Sequence, residues 1–320
     1  MLHTSEGLPD KQSLQTAAVR IAAYIHHTPA LTSAFLNQSV NGKLFFKCEN
    51  FQKAGAFKSR GAFNTLLSLP EDELIAGVAT HSSGNHAQAL ARAALILKTR
   101  AYIVMPRTAP KVKVDAVKDY GGIITFCEPT LEARETALQK VVDKTGATVI
   151  HPYNDYRIIA GQASCAMELL QQVNHLDYIF CPVGGGGLLS GTALSAHYWS
   201  PETKVIGCEP EGANDACLSF VTKQFVPSIN PNTIADGLLT SLGSLTYPII
   251  LKHVNDILTV GEEEIISAMR LVWERMKIVI EPSAAVPLAV ALSGKIDLKG
   301  KQAGIIFSGG NVDLNALPWL

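Results

Sequence analysis

Residues 77–151 constrain the fold more than any other stretch of this chain. Short apolar runs at 77–80, 101–105, 122–126 and 148–151 read as strands, and 87–97, 111–120 and 132–145 read as the helices between them. Strands that are apolar on both faces cannot be left against water. Alternating with helices, they belong in parallel sheets covered by helices. Further apolar runs lie at 178–183, 204–208 and 302–307, again with helical segments between. The pattern predicts an α/β protein of two lobes, a smaller one from 75–152 and a larger one from 1–74 with 153–320. The length of 320 residues suits about two domains at roughly 150 residues each.

Composition removes several function classes. Hydrophobic residues make up 47% and charged residues 17%, which excludes a disordered chain. A net charge of -1 offers neither the basic surface of a nucleic-acid binder nor a polybasic membrane patch. Apolar runs stop short of membrane length, as at 93–97 between Arg92 and Lys98. The first residues lack the basic-then-apolar character of a signal peptide. Six cysteines are scattered without a C-x-x-C pair, as expected of reduced core thiols in a cytoplasmic protein.

Ligands in such folds sit beyond the carboxyl ends of strands, so the strand-to-helix loops carry the function. The first is His81-Ser82-Ser83-Gly84-Asn85-His86. One Ser or Asn would suffice as a helix cap. An unbroken polar run at a helix N-terminus instead suits an anion such as a carboxylate. The second is Gly184-Gly185-Gly186-Gly187, which lets main-chain N–H groups turn inward as a phosphate cradle. It is no Walker loop, since no Gly-Lys-Ser/Thr follows. The dinucleotide pattern fails where Leu189 replaces its third glycine, although Glu209 lies near the spacing of a ribose-binding acid. A nicotinamide oxidoreductase is therefore the rival reading. The third loop, Ser308-Gly309-Gly310-Asn311, is by itself as consistent with a turn.

Lys58 completes the pattern. The stretch 58–69 reads as a helix, and a lysine in its first turn opposes the helix dipole. Ala56 and Phe57 would desolvate the amine and lower its pKa. A snorkelling surface lysine is the plain alternative. An amine kept reactive for a carbonyl, as in a Schiff base, is the functional one. Beside a phosphate cradle it suggests a phosphorylated aldehyde, pyridoxal phosphate.

The stretch 46–62, centred on Gly55-Ala56-Phe57-Lys58-Ser59-Arg60-Gly61, resembles the lysine motif of the serine/threonine dehydratases. These are fold type II pyridoxal-phosphate enzymes, two-lobed like the tryptophan synthase β chain, and include eukaryotic-type serine racemase. The 82–86 loop, the four glycines and Ser308-Gly309-Gly310-Asn311 match the family's other motifs in order. The resemblance implies that Lys58 carries the cofactor, Phe57 and Gly237 flank its ring, and Asn85 bonds the ring hydroxyl. Gly184, Gly185, Gly186, Gly187 and Leu188 would hold its phosphate, and Ser308 would face the pyridine nitrogen. Ser82, Ser83, Gly84, Asn85 and His86 would take the substrate carboxylate, with Arg134 and Thr240 near the substrate. A neutral serine at that nitrogen makes a weaker electron sink than an aspartate would, which suits rapid loss of a β-leaving group. Lys58 would be the general base. Ser83 matches the second base of serine racemases.

Glu209, Glu211 and Asp215 cluster in Cys208-Glu209-Pro210-Glu211-Gly212-Ala213-Asn214-Asp215. Spacing alone favours a solvated acidic turn. The resemblance implies a Mg²⁺ or Ca²⁺ site at Glu209, the Ala213 carbonyl and Asp215, ligands suited to a hard cation. It also implies a homodimer, with ATP as an activator near Lys53, Gln88 and Asn311. The chain ends at Leu320, so no C-terminal regulatory domain like that of biosynthetic threonine dehydratases is expected. The expected activity is dehydration of L-threonine and L-serine to 2-oxo acid and ammonia. Serine racemase and 3-hydroxyaspartate ammonia-lyase are the alternatives.

Overall fold

The computed structural model describes residues 7–82, 84–109 and 111–320. Its strands are β1 (Ala30–Leu31), β2 (Lys43–Cys48), β3 (Val78–His81), β4 (Ala101–Pro106), β5 (Ile123–Cys127), β6 (Thr148–Val149), β7 (Tyr178–Pro182), β8 (Lys204–Pro210), β9 (Asp256–Val260) and β10 (Gln302–Phe307). They form two sheets, ordered β1-β2-β10-β7-β8-β9 and β5-β4-β3-β6. Every pairing is parallel except the short antiparallel edge β1–β2. In the larger sheet β7 leads to β8 and β9 on one side, and β10 and β2 lie on the other. The crevice at such a reversal is where α/β folds bind ligands.

Helix Pro282–Leu292 is buried along almost its whole length, as its uniformly apolar sequence requires. Helices Lys58–Leu66 and Tyr156–Gln172 cross in close contact. A methyl group on Gly161 would lie 2.6 Å from the Arg60 carbonyl oxygen, so this approach is open only to glycine. The crossing fixes where the first turn of the Lys58 helix sits.

Three expectations need correction. The helix expected over 58–69 closes at Leu66, because Pro70 lacks an N–H and disfavours helical geometry at Leu69. The strand expected over 148–151 pairs only at Thr148 and Val149. The strand at 122–126 is not apolar-packed on both faces. As the sheet edge β5 it leaves Ile123 46% and Phe126 41% exposed. Strands β1, β2 and β9 are additions to the sequence reading. Among the described residues, no helix is long and apolar enough to cross a membrane.

Candidate active site

Lys58 is the first residue of its helix, after Phe57, and no side chain caps that end. An antiparallel bridge between Ala56 and Gly309 ties this segment to the end of β10. The Phe57 N–H donates to the Ser308 carbonyl (3.0 Å), and the Gly310 N–H to the Gly55 carbonyl (2.9 Å). Lys58 and Ser308, far apart in sequence, therefore share one rigid corner. The Lys58 amine lies 5.1 Å from the Phe57 ring centre and donates to the Pro152 carbonyl at 2.9 Å. Burial lowers its pKa to about 8, against a smaller opposing pull from Glu281.

The four glycines leave β7 and enter helix Gly187–Trp199. Gly186 sits at φ 86° as the N-cap, with no capping side chain, so the first N–H groups of the helix face the turn. A Cβ on Gly185 would meet the Tyr153 ring at 2.3 Å, and the Thr246 hydroxyl donates to the Gly185 carbonyl at 2.8 Å. The cradle is thus held between two side chains, with no room for one of its own. Leu188 is buried in the first turn beyond it. Gly237 abuts the cradle, since its carbonyl would lie 3.1 Å from a Cβ on Gly184, and its N–H donates to Ser283 Oγ at 2.9 Å.

Beyond β3, helix Asn85–Ile96 also begins without a side-chain cap, at Gly84. The Gly84 N–H bonds Ser82 Oγ at 3.3 Å. Ser83 lies outside the described residues. The His86 ring is buried, with Nε2 3.4 Å from the Ile150 carbonyl, and burial followed by the Lys58 charge holds its pKa well below the usual value. What His86 can offer an anion is its main-chain N–H. Asn85 is fixed at both ends of its amide. Its Nδ2 donates to Glu281 Oε1 (2.7 Å), and its Oδ1 accepts from Asn311 Nδ2 (2.8 Å), which also reaches the Ala54 carbonyl (2.8 Å).

Glu281 is a site residue that the sequence reading missed. Its carboxyl is buried, and Oε2 has no partner. Burial and then the Asp236 charge raise its pKa to about 7. Its only sequence signal is an acid before Pro282 at a helix start, which reads equally as a cap. Two further neighbours lie just past β6, another strand end. His151 Nδ1 accepts the N–H groups of Tyr153 (3.3 Å) and Asn154 (2.9 Å), which leaves its proton on Nε2. Burial, His81 and Lys58 hold its pKa near 4. Tyr153 stands edge-on to His151, and Thr240 lies near enough to its phenol to offset part of the rise in pKa that burial causes, which places Thr240 near the cradle. A cavity of about 250 Å³, lined by His81, Glu135, His151 and Pro152 among others, opens here. Arg134, on helix Leu131–Thr145, lies close enough to His81 for its charge to depress that imidazole further, after burial. Its Nε is buried without a hydrogen-bond partner.

The acidic turn after β8 gathers Glu209, Ala213 and Asp215. Glu209 accepts the N–H groups of Ala216 (3.0 Å) and Cys217 (2.8 Å), so it already caps helix Asp215–Thr222. Both carboxylate oxygens of Asp215 are buried without a hydrogen-bond partner. Among the described residues no group of three or more His, Cys, Asp or Glu side chains is placed to hold a metal. Of the residues assigned to a nucleotide, Asn311 is engaged with Asn85, Gln88 is buried, and Lys53 is half-buried.

A partly buried amine of lowered pKa, a glycine cradle at an uncapped helix and a second uncapped helix for a carboxylate define a site for a phosphorylated carbonyl cofactor and an amino acid. The chain belongs to the family described as "Pyridoxal-phosphate dependent enzyme", which it matches over residues 21–309. It is 48% identical to the beta-hydroxyaspartate dehydratase of Paracoccus denitrificans, covering 98% of this chain and 99% of that one. The crystal structure of serine racemase from Dictyostelium discoideum superposes with TM-score 0.91 at 48% identity, over 95% of this chain and 99% of that one. The crystal structure of the T.th. threonine deaminase gives TM-score 0.91 at 40% identity, over 96% and 99%. Family membership sets the nicotinamide reading aside.

Proposed function

We propose that this enzyme eliminates water from β-hydroxy amino acids, giving a 2-oxo acid and ammonia, and that 3-hydroxyaspartate stands beside L-threonine and L-serine among its substrates. The observation that carries the reading is the Lys58 amine, depressed to about pKa 8, between the cradle and the carboxylate loop. Near neutral pH an amine of that pKa can both accept and return a proton. When bound, pyridoxal phosphate supplies an electron sink for the Cα carbanion. Gly184 to Gly187 with Leu188 would hold its phosphate, Asn85 its ring hydroxyl, and Ser308 its ring nitrogen. The N–H groups at Gly84 to His86 orient the substrate carboxylate. Lys58 removes the α-proton, and the hydroxyl leaves from Cβ with a proton. Once released, the enamine product hydrolyses in water.

Racemisation of serine is the second reading, favoured by the likeness to serine racemase. Incubation with each amino acid, followed by measurement of 2-oxo acid and of D-serine, separates the two. D-Serine in large excess over pyruvate would defeat the lyase assignment.

Arg134 supports the dicarboxylic substrate, because a buried guanidinium nitrogen without an acceptor suits a second carboxylate. Arg134→Ala is expected to lower kcat/KM for 3-hydroxyaspartate by about 10- to 100-fold, the worth of a charged hydrogen bond. L-Serine should change by less than about 3-fold, since it makes no such bond. Equal losses on both substrates would remove Arg134 from recognition.

We also infer that Glu209, Asp215 and the Ala213 carbonyl bind Mg²⁺ or Ca²⁺, that the protein is a cytoplasmic homodimer, and that ATP activates it. Burial raises Glu209 from 4.5 to about 8 and Asp215 from 3.8 to about 6 in the absence of a cation. Between these values the folded state holds more protons than the unfolded state. Stability contributed here is therefore lost as pH rises toward 8. A cation binds the ionised pair and reverses that loss. Added Mg²⁺ or Ca²⁺ should raise Tm more at pH 8 than at pH 5.5, and Asp215→Asn should abolish the difference. A cation effect independent of pH would refute the site.

A further inference from the structure

Lys113 lies on helix Lys111–Asp119, which packs on β5 and on helix Asn85–Ile96, in the layer of the smaller sheet. Asp236 opens the 3-10 turn Asp236–Leu238, which rests on helix Pro282–Leu292, in the layer of the larger sheet. Their side chains form an ion pair across the gap between those layers. The Lys113 side chain is only 7% exposed, whereas that of Asp236 is 45% exposed. Exposed ion pairs contribute little. A lysine withdrawn from water is different, because removing its partner leaves a charge that water does not fully compensate.

The position gives the pair its meaning. Lys113 Nζ would lie 3.8 Å from a Cβ on Gly84, at the start of the helix that receives the substrate carboxylate. Asp236 immediately precedes Gly237, which abuts the phosphate cradle. One ion pair therefore joins the substrate wall to the cofactor wall. The pair also touches the chemistry electrostatically, since both charges act on buried Glu281 in opposite directions.

We propose that the Lys113–Asp236 ion pair is a latch that closes the two walls over the bound amino acid and opens for entry and release. Lys113 and Asp236 are positioning residues in this scheme. The inference rests on the proposed site but not on which reaction occurs there, because closure can be read without turnover.

The test compares Asp236→Asn, Lys113→Gln and the charge-conserving Asp236→Glu with the parent protein. Amide hydrogen exchange is followed over Lys111–Asp119 and Asp236–Leu238, with and without pyridoxal phosphate, and KM and kcat are measured separately. The two neutral variants are expected to exchange about 10-fold faster in those two segments alone, as local opening predicts. Their KM for the amino acid should rise about 10-fold, with kcat within about 3-fold of the parent, the signature of lost ground-state binding. Asp236→Glu should restore most of both. Unchanged exchange and KM in the neutral variants would overturn the latch. So would faster exchange throughout the protein with a lower Tm, which marks a merely structural pair. If no substrate is turned over, the proposed reaction fails while the exchange measurement still decides the latch.

Discussion

Lys58→Ala is expected to abolish turnover, with a loss of at least about 10³-fold, because the same amine anchors the cofactor and moves the α-proton. The fold should survive. The side chain is partly exposed, and its one hydrogen bond is to the Pro152 carbonyl. Its removal therefore belongs with substitutions that shift stability by about 1 kcal/mol. The cradle at Gly184 to Gly187 and the Asn85–Glu281 pair do not depend on Lys58, so pyridoxal phosphate should still bind, more weakly and without a covalent link. Two measurements check this. The parent protein loaded with the cofactor should absorb in the violet and retain the label after borohydride treatment, and the variant should release it on dialysis. A variant with full turnover would remove Lys58 from the mechanism. A variant that unfolds would contradict the structural argument, not the chemical one.

Much of this site is legible in the sequence because its signals are local. A run of glycines after an apolar strand, or of Ser, Gly and Asn before a helix, needs no tertiary contact to be recognised. The smaller sheet is legible for the same reason, since its strands β3, β4 and β5 are each followed within a few residues by a helix that packs in the same layer. Glu281 is not legible. Its function comes from burial beside Asn85, which is 196 residues away in the chain. No local pattern separates it from an ordinary acid at a helix start. Strand β2 is obscured by its own lysines. Lys43 is exposed, but Lys47 is fully buried, 2.6 Å from Glu168. A charged residue at a core position reads as a break in the strand until its partner is known. His151 and Tyr153 lay within reach of the rule that directed attention to strand ends, since they follow β6 as the carboxylate loop follows β3.

Glu168, the partner of Lys47, belongs to a cluster that holds the Lys58 helix from behind, and Arg60→Met is expected to cause the largest loss of stability. Arg60 is fully buried, two residues beyond Lys58, and so points away from the site. It makes paired contacts with Glu49 (both 2.7 Å) and with Glu168 (2.7 and 2.8 Å), and a further bond to Ser164 Oγ at 3.0 Å. Lys47 adds a second cation on Glu168, so two positive charges face two negative ones. Burial alone would raise the pKa of Glu168, yet bonding to Arg60 overcomes it and leaves that pKa below its usual value. Methionine fills much of the same space but leaves Glu49 with no cation. Stranding a buried charge in this way costs about 3–5 kcal/mol. Part of that cost disappears when the carboxylate takes up a proton, so the variant should be less impaired at pH 5 than at pH 8. Arg60→Met combined with Glu49→Leu should recover much of the loss, because an apolar replacement of a whole pair is often neutral. Urea unfolding at both pH values is the measurement. A loss below about 1 kcal/mol, the range of exposed pairs, would show that the cluster does not hold the helix.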